Sequence, residues 1–138
     1  MSLTPHGPGF SFLDGFEVTI ANREGRGRKW LDPQMTFFAD HFPGQSIMPG
    51  VLLIECAAQA AGALWASMLA EEAPPRFILA QVLQFKIQKP VLPGETIETD
   101  VAVENIFGQL AQFGVTLGVN QNEVARGRLV LSRGMGLG

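Results

Sequence analysis

The chain of 138 residues has no tyrosine, a single cysteine and no surplus of basic side chains. Ten basic residues against thirteen acidic ones give a net charge of −3, which argues against a nucleic-acid partner, since phosphate binding wants a basic excess. Cys56 has no second cysteine with which to form an internal disulfide or support a metal site. That usage suits a reducing compartment, and the expected location is the cytoplasm. The N-terminus lacks a basic stretch followed by an apolar one, so no signal peptide is expected. Only 17% of residues are charged, whereas 46% are hydrophobic, which excludes a disordered chain and fits one compact domain over residues 1–138.

Long apolar runs are scarce too. Val51 to Ala70 is the exception, with Glu55 as its one charge. Its length would span a bilayer. Its alanines, Gln59, Gly62 and the want of flanking Lys or Arg argue instead for a helix inside a globular protein, with no membrane partner. The helix should run from about Val51 to Glu71, ending before Pro74 and Pro75.

The remainder reads as five or six strands. Residues 1–11 are an irregular arm and 134–138 a frayed tail. Phe16 to Ala21 alternates and reads as a strand, Glu24 to Gly27 as a turn, and Arg28 to Leu31 as extended. Asp32 and Pro33 suit the start of a short helical turn reaching Phe38. Phe77 to Gln88, Thr96 to Ile106 (its phase slipping around Thr99), Leu110 to Val119 and Val124 to Ser132 complete the set. A helix apolar all round must be covered on nearly every side, and a curved antiparallel sheet would do so, its outer face polar. The expected class is α+β.

Two ionisable side chains stand out around the helix start. His41 opens the Pro/Gly-stiffened loop His41 to Gly50, and Glu55 lies on the first turn or so of the apolar helix. A lone carboxylate there must be paired, hydrogen-bonded, protonated or facing a cavity. Gln59, four residues on, shares its face and is placed to hold it. A carboxylic acid near an imidazole is a workable acid/base pair. The amides of Gly50 and Val51 should sit at the positive end of the helix dipole, where negative charge developing on a carbonyl oxygen is stabilised. Such a set suits proton abstraction next to a carbonyl. Cys56 reads as core filler, because no base stands at an evident spacing, and His6 lies in the arm. Phe37, Phe38, Phe42, Phe85 and Phe113 are core by default, with one or two available to line a cavity.

His41-Phe42-Pro43-Gly44, Met48-Pro49-Gly50-Val51-Leu52, Glu55 and Ala58-Gln59 together resemble the signature of the (3R)-hydroxyacyl-[acyl-carrier-protein] dehydratases of fatty-acid synthesis. Phe85-Lys86 and Lys89 to Glu95 resemble a later stretch of the same family. The resemblance implies a hot-dog fold, an antiparallel sheet wrapped around one long central helix. It implies that His41 takes the C2 proton of a 3-hydroxyacyl thioester and that Glu55 delivers a proton to the leaving hydroxyl. The Gly50 amide would hold the thioester carbonyl, with Val51 and Phe42 beside the substrate. No metal and no organic cofactor is implied. The partner is an acyl carrier protein or acyl-CoA. The two catalytic side chains would come from different subunits of a homodimer, which often assembles into a trimer of dimers.

The chain departs from the family pattern in lacking the early Pro-His-Arg segment, and in Gly15, Asp40 and Ser46. Arg26, Arg28, Lys29, Lys86 and Lys89 form either a solvated strand face or a docking surface for an acidic carrier. Two rival readings are a hot-dog thioesterase, with Glu55 activating water, and a non-catalytic carrier-binding homologue.

Overall fold

The computed structural model describes residues 11–35, 38, 46–69 and 76–133. The arm before Ser11 with His6, residues 36–37 and 39–45 (among them Phe37, Asp40, His41 and Phe42), residues 70–75 and the tail 134–138 lie outside the described residues.

Six strands form one antiparallel sheet: β1 (Gly15–Ile20), β2 (Glu24–Trp30), β3 (Phe77–Ile87), β4 (Thr96–Phe107), β5 (Leu110–Val119) and β6 (Asn122–Arg133). Their order is β1-β2-β4-β5-β6-β3, so β1 and β3 are the edges. The helix α1 (Gly50–Ser67) crosses one face and touches all six strands. This is the sheet-around-helix arrangement expected of the sequence.

Strict alternation builds the inner face of β5, where Ala111, Phe113, Val115, Leu117 and Val119 are all buried. Opposite them stand Leu53, Ala57, Ala60, Ala61, Leu64 and Trp65 of α1. The Trp65 ring stacks on Phe77 at 4.7 Å and leans on Phe113 at 6.0 Å. The helix is buried along one stripe rather than all round: Val51 and Ser67 are exposed, and Leu52, Ile54, Ala58 and Ala63 are half-buried.

Three sequence expectations need correcting. Glu24 to Gly27 is strand, not turn; the turn is Ala21 to Arg23, closed by Arg23 N–H donating to the Ile20 carbonyl at 3.0 Å. Gly25 and Gly27 serve close packing. A methyl at Gly27 would lie 2.6 Å from Leu13 Cδ2 and 3.4 Å from Ala60 Cβ, and one at Gly25 would run into the Phe16 ring. The helix ends at Ser67, with Met68 donating back to Trp65, while Ala70 to Pro75 lie outside the described residues. In β4 the alternation does not slip at Thr99, which is buried in line with Ile97 and Val101; the register shifts later, between Val103 and Asn105.

Candidate active site

Gly50 is the first residue of α1, preceded by Pro49 in an extended conformation. A proline there fits, because its missing N–H would have had no intrahelical acceptor. Among the described residues no side chain caps the helix, and no acidic residue stands in its first turn. The dipole and the first backbone amides are thus presented at this end. The approach to the helix is tethered: Met48 N–H donates to the Val91 carbonyl at 2.8 Å, and Ser46 Oγ donates to the Phe38 carbonyl at 2.9 Å. Ile87 backs Gly50 so closely that a methyl at residue 50 would meet its Cδ1 at 2.7 Å. Val51 is 71% exposed, and Ile87 and Leu92 are exposed as well.

Glu55 lies on the second turn of α1, not the first, about 7.5 Å of helix rise beyond Gly50. It is half-buried. Gln59 Nε2 donates to Glu55 Oε2 at 2.8 Å, as their spacing of four residues allows. Gln59 itself is buried, and its Oε1 accepts from the Phe12 backbone N–H at 2.7 Å. Cys56, beside Glu55 in sequence, points into the core, and burial pushes its thiol up, with the Glu55 charge adding to the effect. Its thiolate is thus suppressed, in keeping with a packing role.

The structure therefore brings together Glu55, Gln59 and the Phe12 amide. It sets the helix start at Gly50 and Val51 on the same element. His41 and Phe42 lie outside the described residues. The Phe12 amide is the part that sequence reasoning missed. It is a backbone group, and no side-chain pattern signals it. Phe38 and Phe113 are core residues, and Phe85 is half-buried against the core.

The basic residues are partly spoken for. Arg26 pairs with Asp100 at 2.6 Å and Lys29 with Asp14 at 3.2 Å. A groove of about 990 Å³ lies on the sheet's outer face, walled by Arg26, Lys86, Asp100, Glu104, Arg126 and Arg128. Neither Glu55 nor Gln59 lines it. Three of its basic walls are paired within the chain: Arg26 with Asp100, Arg126 with Glu123 and Arg128 with Glu104.

Comparison with known proteins gives one answer from sequence and a consistent one from shape. Residues 18–128 match the family model of ApeI-like dehydratases, described as ApeI dehydratase. A 3-hydroxyacyl-[acyl-carrier-protein] dehydratase FabZ from Acidiphilium cryptum is 34% identical over 126 residues, covering 91% of this chain and 76% of the relative. The namesake from Herpetosiphon aurantiacus is 28% identical, covering 96% of this chain and 93% of the relative. Among solved structures, the dehydratase heterocomplex ApeI:P from Xenorhabdus doucetiae superposes with a TM-score of 0.78 at 16% identity, over 95% of this chain and 88% of the other. The fluoroacetyl-CoA-specific thioesterase FlK superposes with a TM-score of 0.68 at 14% identity, over 87% of this chain and 89% of the other. The structural likenesses establish the hot-dog fold, which dehydratases and thioesterases share. With the match to the family model spanning most of its length, the chain belongs to the ApeI-like dehydratase family.

Proposed function

We propose that the chain dehydrates a (3R)-hydroxyacyl thioester, carried on an acyl carrier protein or on CoA, to the trans-2-enoyl thioester and water. The observation that carries the reading is a carboxyl on the buried-stripe helix, held by an amide, one and a half turns from an uncapped helix start. Dehydratase relatives acting on acyl-carrier-protein substrates support the substrate class.

In this reading the thioester carbonyl rests on the Gly50 amide, where the helix end stabilises the negative charge that grows on the oxygen as C2 loses its proton. His41 receives that proton. The electron pair of the C2–H bond forms the C2–C3 double bond, and the C3–O bond breaks with its pair going to oxygen. Glu55 supplies the proton that turns the departing hydroxyl into water. Gln59 positions Glu55, and Val51 and Phe42 flank the acyl chain. The reaction needs no metal and no organic cofactor.

The working unit is a homodimer, with His41 and Glu55 of one site drawn from different subunits. The edge strand β3 supports this. It is 11 residues long, and it exposes Ile78 at 41%, Leu79 at 38% and Val82 at 38%. A long apolar edge of that kind invites strand pairing with a second chain. Further assembly into a trimer of dimers and a cytoplasmic location belong to the same proposal.

The test is an absorbance assay for enoyl-thioester formation on 3-hydroxyacyl carriers and CoA esters. His41→Ala and Glu55→Gln should each lose at least about 100-fold in kcat while remaining folded. Unchanged turnover in both refutes the mechanism. Release of free thiol from acyl-CoA without enoyl product would assign the chain to hydrolysis instead.

A further inference from the structure

The Phe12 backbone N–H donates to Gln59 Oε1 at 2.7 Å, and Gln59 Nε2 donates to Glu55 Oε2 at 2.8 Å. These two contacts are not independent. A backbone N–H is a donor only, so it fixes which end of the Gln59 carboxamide faces it. The amide's oxygen must turn toward Phe12, and its NH2 must then turn toward Glu55. Were the carboxamide rotated by 180°, an NH2 would face an N–H and a carbonyl oxygen would face a carboxyl. Gln59 is only 6% exposed and Phe12 3%, so water cannot readily compensate either mismatch.

We infer that the Phe12 amide is a positioning group for the acid: through Gln59 it fixes the orientation in which the Glu55 carboxyl is held at Oε2. After transfer, the Gln59 N–H still holds Oε2 of the carboxylate, so the carboxyl need not turn during the step. The relay also gives the segment entering β1 a role at a distance. It reaches the acid through one side chain. The inference rests on the proposed role of Glu55 as acid, but the hydrogen-bond relay can be examined apart from it.

The test replaces Phe12 by phenyllactate, which exchanges its backbone N–H for an ester oxygen and keeps the ring. The ester is made alone and together with Gln59→Met, a substitution of similar length without a polar end. Each single change should lower kcat by about 10- to 100-fold with KM nearly unchanged, and the double should be no worse than the poorer single. An ester variant with wild-type kcat, or a double whose losses multiply, overturns the relay. A purely structural contact would lower the melting temperature without this split between kcat and KM. Hydrogen exchange reads the relay without substrate: the Phe12 amide should exchange at least about tenfold faster in Gln59→Met than in the wild type. Equal exchange overturns the relay whatever the catalytic result. A wild-type chain that protects the amide but forms no enoyl product keeps the hydrogen-bond relay and refutes the acid role assigned to Glu55.

Discussion

Phe85 of β3 packs closely against Gly127 of β6: a methyl at residue 127 would stand 2.7 Å from the Phe85 Cα and 2.8 Å from its ring carbon Cδ2. The obstructing atom is backbone, so it cannot rotate aside. Gly127→Ala should destabilise the chain by about 2 kcal/mol, of the order found for overpacked sites. For a chain of this size that is roughly 6–10 °C in Tm. Thermal unfolding checks it, and a fall of less than about 2 °C would show that β3 has room to shift.

Beside this contact, β3 carries an extra residue. Leu83 faces Arg128 and Lys86 faces Arg126, so Gln84 and Phe85 together oppose Gly127. Gln84 takes φ +51, a left-handed conformation that costs a side-chain-bearing residue about 1 kcal/mol. Gln84→Gly should relieve that strain at the expense of the bond from Arg128 Nη1 to Gln84 Oε1, 3.0 Å long at the surface. The net expectation is a gain of about 0.5 kcal/mol in urea unfolding. A loss would mean that the Gln84 side chain holds the bulge.

Much of this architecture was legible in the chain because alternation is a local signal. Leu110 to Val119 reads as a strand, and the structure returns the same bounds. Glu24 to Gly27 misleads because glycine marks both turns and close packing, and only the positions of Leu13, Ala60 and Phe16 distinguish them. Thr99 misleads because a buried threonine looks like a break in an apolar pattern. The contact of Gln59 with Glu55 follows from helical spacing alone, whereas the Phe12 amide lies 47 residues from Gln59 and carries no side-chain signature.

Gly50→Ala separates catalysis from folding. Among the described residues the new methyl meets only the far end of the Ile87 side chain, at 2.7 Å, and that end can rotate. The melting temperature should change by no more than about 3 °C. Under the proposed role of the Gly50 amide, the methyl crowds the thioester carbonyl, and kcat/KM should fall by about tenfold or more. Wild-type kcat/KM would remove Gly50 from the site.

Cys56 should make the fold sensitive to alkali. Burial raises its thiol above the ordinary value of 9.0. The unfolded chain therefore releases this proton while the folded chain keeps it. Stability present below about pH 9 is lost as pH rises further. Between pH 8 and pH 10 the wild type should lose about 1 kcal/mol more than Cys56→Ala in urea unfolding. Equal losses would show that the thiol is ionisable in the native state.

The edge strand offers a test of the proposed assembly. Leu79→Lys combined with Val82→Lys puts two charges on exposed positions of β3, 38% accessible in each case. Sedimentation should show a monomer with retained circular dichroism and enoyl-thioester formation reduced by at least about 100-fold. A fully active dimer would locate the subunit contact elsewhere.

The order β1-β2-β4-β5-β6-β3 has a kinetic consequence. Strands β4, β5 and β6 follow one another through short turns, including Asn120-Gln121 with both residues at positive φ, and can zip up from neighbouring segments. The seam between β2 and β4 joins Arg26 to Asp100, 74 residues apart, and its closure carries a much larger entropic barrier. The strand that brings Phe12 toward the helix is stitched on through that late seam. Gln59 thus takes its Phe12-fixed orientation only in the finished chain, and a nascent or half-assembled molecule has a carboxyl but no oriented acid.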